Sequence, residues 1–187
     1  MDKKQAKPVS SQVEMLAVEQ SGRKFIYTPQ EKIAIVEVEN FPMLGKLTAL
    51  RFIEWVQENP EGIISLPTGK TPEHFIKWVT RYLRDWETPE IRKDLEANGI
   101  DAGQKPQMSG LRFVQIDEFY PINPTQVNSF YHYINTFYVR GFGLDPKKGL
   151  LINAWSLGVP EGKTPAEVFP DEIVDLSGKG QPVLVGT

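Results

Sequence analysis

Apolar and polar positions fall into blocks that predict strands and helices in turn. The run Ile33, Ala34, Ile35, Val36 and Val38 has the β-branched bias of a strand. Asn40 then reads as a helix cap, and Leu44, Leu47, Leu50, Phe52, Ile53 and Val56 recur at helical spacing until Pro60. Residues 62–66 predict a short buried strand. A tight loop follows, then a helix with Phe75, Trp78, Val79, Tyr82 and Leu83 on one stripe. A shorter helix is predicted over 91–97 and a strand over 111–116, ending on Asp117 and Glu118. Asn128 or Ser129 caps a helix to about Arg140. Further on, 150–153 reads as a strand, 172–176 as the end of a short helix and 182–187 as a strand. Residues 24–27 predict a short edge strand, and no internal repeat is present.

Strands alternating with helices over long crossovers predict an α/β protein: three layers, α/β/α, around a mostly parallel, Rossmann-like sheet. The domain reading is a flexible N-terminal tail over 1–24 and one partial domain over 25–187. In such sheets a ligand binds outside the carboxyl ends of the strands. Residues 67–72 and 117–121 put polar groups at that edge.

Composition narrows the function. With 187 residues, 40% apolar and 24% charged, the chain is globular rather than disordered. Its net charge of −3 gives no overall attraction to nucleic acid or to an anionic membrane, so an anion site has to be local. The absence of Cys excludes disulfides, thiolate nucleophiles and Cys-ligated zinc. No apolar run suggests a signal peptide or a membrane span, so the cytoplasm is the expected location. His74 and His132 have no metal-ligand spacing around them, and no metal is expected. The aromatic run from Phe130 to Tyr138 is read as core packing, since base stacking comes with a basic groove.

The segment Leu66-Pro67-Thr68-Gly69-Lys70-Thr71-Pro72 lies between a strand and a helix, the wiring of a phosphate cradle. Gly69 allows a sharp turn and close approach of a ligand to the backbone. Thr68 and Thr71 add hydroxyls, and Lys70 adds a charge. The alternative is a plain helix start, with Thr71 as cap and Pro72 at the first helical position. A nucleotide P-loop is excluded, because the position that needs its first Gly is Ile64.

Asp117 and Glu118 stand where a buried strand leaves the sheet. A carboxylate there can take a proton from carbon beside a sugar carbonyl if it comes within about 3 Å of it. Neighbours on an extended segment point to opposite sides, which predicts one base and one structural or substrate-binding partner. The alternative is that both merely cap a turn or pair with surface cations.

Together, Leu66 to Pro72, then Ile116-Asp117-Glu118-Phe119-Tyr120, then Asn128-Ser129-Phe130-Tyr131 resemble the glucosamine-6-phosphate deaminase/isomerase family. The resemblance runs over roughly residues 33–187. It implies conversion of glucosamine 6-phosphate to fructose 6-phosphate with loss of ammonia, with no metal or organic cofactor. It assigns Asp117 as the base, and Thr68, Gly69, Lys70, Thr71 and Glu118 as substrate-binding. The expected partner is a small sugar phosphate, with no nucleic acid or membrane; family members are often homo-oligomers. Two departures stand out. Lys70 replaces a usually small residue, and the family's later Asp-Gly-His segment has no counterpart before Thr187, so an incomplete copy is expected. The rivals are 6-phosphogluconolactonase, whose motif carries Arg where Phe119 stands, and a non-catalytic sugar-phosphate sensor.

Overall fold

The computed structural model describes residues 11–22, 36–120, 122–154, 160, 162–168, 172–174 and 184–186. The chain divides into two compact units. One is Met1–Pro60 with Glu73–Gln107, and the other is Glu61–Pro72 with Met108–Thr187.

The first unit is helical, with α1 (Gln12–Ser21), α2 (Phe41–Glu58), α3 (Glu73–Arg84) and α4 (Pro89–Ala97). Asn40 caps α2 as predicted, its Oδ1 accepting from Met43 N at 3.0 Å. The apolar stripe of α2 buries Ala49, Leu50, Ile53 and Val56, and α3 buries Ile76, Val79, Tyr82 and Leu83. Each of the Leu, Ile and Val side chains among these contributes about 1.5–3 kcal/mol when removed from water. Gly45 lets α2 and α3 approach closely: a Cβ there would stand 2.4 Å from His74 Cβ. Thr88 caps α4, which begins at Pro89, two residues before the predicted start.

Helix α1 lies within the span read as a tail. Its apolar positions form no clear stripe, and its anchor is polar and distant in sequence. Ser11 Oγ donates to Glu54 Oε2 at 2.6 Å, while Gln12 N and Val13 N donate to Glu54 Oε1 at 2.7 and 3.3 Å. One buried carboxylate on α2 thus satisfies the free N–H groups at the start of α1.

The second unit carries the sheet: β1 (Ile63–Leu66), β2 (Arg112–Gln115) and β3 (Gly149–Leu150), in that order and all parallel. Register pairs Ile63 with Arg112 and Leu66 with Gln115, and Phe113 with Gly149. Leu66, Phe113 and Gln115 point to a buried face, whereas Ile63 and Leu150 on the opposite face are 65% and 68% exposed. A parallel sheet in a protein with several helices makes the class α/β, as the alternating pattern predicts and in keeping with a three-layer arrangement.

Several elements differ from expectation. The helix predicted from Ser129 to about Arg140 is one α-turn, α5 (Phe130–Tyr133), that passes into a π-helix over Ile134–Gly143. The strand at 150–153 is confined to Gly149–Leu150. Residues Glu172–Val174, predicted as helix, form strand β4, which pairs antiparallel with β5 (Leu184–Gly186). That pairing supplies the backbone hydrogen bonds that a three-residue helix could not. Of the strand predicted over 33–38, residues 33–35 lie outside the described residues and 36–38 are not in a strand; 24–27 lie outside them too. Among the described residues, no helix is long and apolar enough to cross a membrane.

Candidate functional site

Parallel pairing decides which loops meet. Leu66 and Gln115 are register partners, so β1 and β2 leave the sheet at the same edge. Adjacent strands run about 4.8 Å apart, and the two exits therefore start as neighbours. Pro67 to Thr71 continue from one strand, and Ile116, Asp117 and Glu118 from the other. This is the carboxyl edge, where parallel sheets hold ligands. Gly69, Lys70, Thr71 and Asp117 are exposed there, while Thr68 and Glu118 are half-buried.

In the first loop, Gly69 has φ +86°, a conformation L side chains rarely adopt. Nothing lies within 4 Å of a Cβ built at that position, so the backbone angle demands glycine and the space beside it is open. Two tyrosines hold the loop's carbonyls. Tyr133 Oη donates to the Gly69 carbonyl at 2.8 Å, and Tyr138 Oη to the Pro67 carbonyl at 2.7 Å. The backbone N–H groups of Thr68, Gly69, Lys70 and Thr71 have no acceptor among the described residues. The Thr68 and Thr71 hydroxyls and the Lys70 ammonium are likewise without a partner among them. Pro72 is buried, and helix α3 begins at Glu73, one residue later than the sequence predicts.

At the second exit the two carboxylates have opposite situations. Glu118 is engaged on both oxygens. Oε1 accepts from Phe119 N and Phe130 N, each at 3.0 Å. Oε2 accepts from Tyr131 N at 2.7 Å and Ser129 Oγ at 2.9 Å, with a longer contact of 3.4 Å from Gln115 Nε2. It thus serves as the anion at the start of the following helix, beside the Ser129 cap. The Asp117 side chain has no partner among the described residues and faces solvent. Its backbone carbonyl accepts from Gln115 Nε2 at 2.8 Å.

Gln115, 2% exposed, joins the pieces: its Oε1 also accepts from Ile152 N at 2.9 Å. A buried amide of this kind has to find partners, and here they fix the geometry of the strand exit. Sequence reasoning missed Gln115, Tyr133 and Tyr138. A polar residue on the same strand face as Phe113 was the available signal for Gln115. The tyrosines gave no such signal, since their spacing matched a packed helix face.

Burial, and then the neighbouring Tyr133, push the Tyr138 phenol well above its ordinary value, so it stays a hydrogen-bond donor at any physiological pH. His132 is half-buried, and its backbone N donates to Ser129 Oγ at 3.3 Å. No group of three or more metal-binding side chains occurs among the described residues.

The described residues thus define an α/β protein in which a loop with unpaired donors and a segment with an unpaired carboxylate leave neighbouring parallel strands. No protein-family model matches the chain, and no curated protein sequence does. Among solved structures, it is similar to a monomeric glucosamine-6-phosphate deaminase described as a missing link of the NagB superfamily. The TM-score is 0.48, with 18% identity over 62% of this chain and 40% of that one. The match therefore spans less than half of that enzyme's length.

Proposed function

We propose that this chain binds a sugar phosphate at the rim made by Thr68–Thr71 and Asp117. In this reading it carries the proton-transfer part of a glucosamine-6-phosphate deaminase site. One observation supports it: the loop with four consecutive amides and the segment with Asp117 leave paired parallel strands at the same edge, and among the described residues neither those amides nor that carboxylate has a partner. Clustered N–H groups attract an anion, and the Lys70 ammonium adds to the attraction. A phosphate gripped there holds the carbon chain of the sugar within reach of the same edge.

Asp117 is the proposed base. Its carboxylate takes the proton from C2 of the open-chain aldose and delivers it to C1; the aldehyde oxygen gains a proton and the amino nitrogen loses one, which leaves a hydroxyl on C1 and an imine at C2. Water adds to that imine and ammonia departs, giving fructose 6-phosphate. Of the two roles expected for the second carboxylate, structural or substrate-binding, the hydrogen bonds of Glu118 favour the structural one. Its acceptor capacity is used within the protein, so it positions the Asp117 segment rather than meeting the sugar.

Calorimetric titration with glucosamine 6-phosphate and an ammonia-release assay test the proposal together. The expected result is binding by both the parent chain and Asp117→Asn, with ammonia released only by the parent. Absence of sugar-phosphate binding by the parent chain sinks the whole reading. Binding without turnover in either form replaces the enzyme with a sensor.

A further inference from the structure

We infer that Tyr133 and Tyr138 are positioning residues of the anion loop, orienting the Lys70 and Thr68 amides toward a bound phosphate. The inference rests on the phosphate reading above and adds two residues to it.

The physical basis is the planar trans peptide, in which C=O and N–H point in opposite directions. Tyr133 holds the Gly69 carbonyl, so the N–H of the same peptide, that of Lys70, points away from the phenol. Tyr138 holds the Pro67 carbonyl and sets the Thr68 N–H in the same way. The Gly69–Lys70 peptide turns about Gly69 ψ and Lys70 φ, and the missing Cβ of glycine widens the allowed range of the first torsion. Without an external tie, the direction of the Lys70 amide would vary with that torsion. The phenol removes that freedom before any ligand arrives, which is how preorganisation raises affinity.

The unexpected helix form makes this possible. On an α-helix, residues five apart differ by about 140° in direction and cannot serve the same loop. A π-helix bonds i to i+5, which stacks such residues, and π segments are frequent at functional sites. Tyr138 lies inside the π-helix and Tyr133 immediately precedes it. Their rings are 6.3 Å apart, and both hydroxyls reach the same loop. Packing alone does not require the hydroxyls: the Tyr133 ring lies 4.6 Å from Phe137 and the Tyr138 ring 5.1 Å from Phe142.

The test is a titration of the full chain with inorganic phosphate, followed by backbone amide resonances. In the parent, the Lys70 and Thr68 amides shift to saturation. Tyr133→Phe is expected to keep the melting temperature, weaken phosphate about tenfold and abolish the Lys70 shift, in line with loss of one hydrogen bond. Tyr138→Phe is expected to do the same at Thr68; should that buried variant fail to fold, Tyr133→Phe decides alone. Parent-like phosphate affinity and an unchanged Lys70 shift in Tyr133→Phe overturn the inference while leaving the phosphate reading intact. So does a lowered melting temperature with the Lys70 shift preserved, since that marks a structural role only. No loop shift in the parent removes the phosphate reading itself.

Discussion

Ser129 Oγ donates to Glu118 Oε2 at 2.9 Å across a loop of ten intervening residues, and this contact ties the strand exit to the start of the next helix. The same carboxylate takes the Phe130 and Tyr131 amides, so one side chain replaces the missing first-turn acceptors of that helix. Its neighbour Asp117 is left out of the arrangement.

The two adjacent carboxylates should therefore respond oppositely to substitution. Glu118→Ala strands several half-buried donors at once and is expected to cost about 2–3 kcal/mol in urea unfolding. Asp117→Asn touches an exposed group with no partner among the described residues and should stay within about 0.5 kcal/mol of the parent. Equal destabilisation by both variants would contradict the division of roles.

Lys70 offers a second contrast. It is exposed and has no partner among the described residues, so Lys70→Ala should leave thermal stability unchanged. Phosphate affinity should fall, and its dependence on ionic strength should flatten, because a mobile surface cation acts through a screened field. Calorimetric titration at low and high salt measures both. Unaltered salt dependence would remove Lys70 from the anion site.

In the helical unit, Gly45 offers a test of packing. A methyl group there would collide with His74 Cβ and with the backbone around Phe75, so α2 and α3 would have to separate. Gly45→Ala is expected to lower stability by about 1–3 kcal/mol in denaturant unfolding. A neutral result would mean that the helices slide apart at no cost.

Alkaline pH should weaken the fold in a defined window. Burial raises the phenols of Tyr82 and Tyr138; for Tyr82 the Asp94 hydrogen bond adds to it, and for Tyr138 the Tyr133 neighbour. The folded state therefore holds protons that the unfolded chain releases near the ordinary tyrosine value of about 10. Stability is fully present below that value and falls as pH rises above it, toward the raised folded-state values. Unfolding titrations between neutral pH and strong alkali check this, with Tyr138→Phe expected to show a shallower decline. A decline of the same slope in Tyr138→Phe would count against Tyr138's part in it.

Much of the frame was legible from local pattern. Asn40 as a cap, the stripe on α2 and the short strands at 63–66 and 112–115 all follow from neighbouring residues acting on one another. The turn at Gly69 was legible for the same reason, because a glycine between strand and helix reports its own backbone angle. Less legible were α1, whose start is held by Glu54 more than forty residues away, and Gln115, whose partners lie on two different segments. The π-helix was hidden too, since Phe137, Tyr138 and Phe142 match an ordinary apolar helix face equally well.

By itself the amino-acid order determined the alternation of strand and helix, the bend at Gly69 and the presence of two carboxylates at a strand end. Those depend on backbone preferences and on the periods of apolar residues, which operate over a few positions. Only the tertiary structure decided that Glu118 is consumed internally while the Asp117 side chain has no partner among the described residues. It also decided that two tyrosines hold the carbonyls of Pro67 and Gly69, while the neighbouring amides have no acceptor among the described residues. Hydrogen bonds between groups 64 and 71 residues apart depend on register and helix form, which no short window of sequence contains.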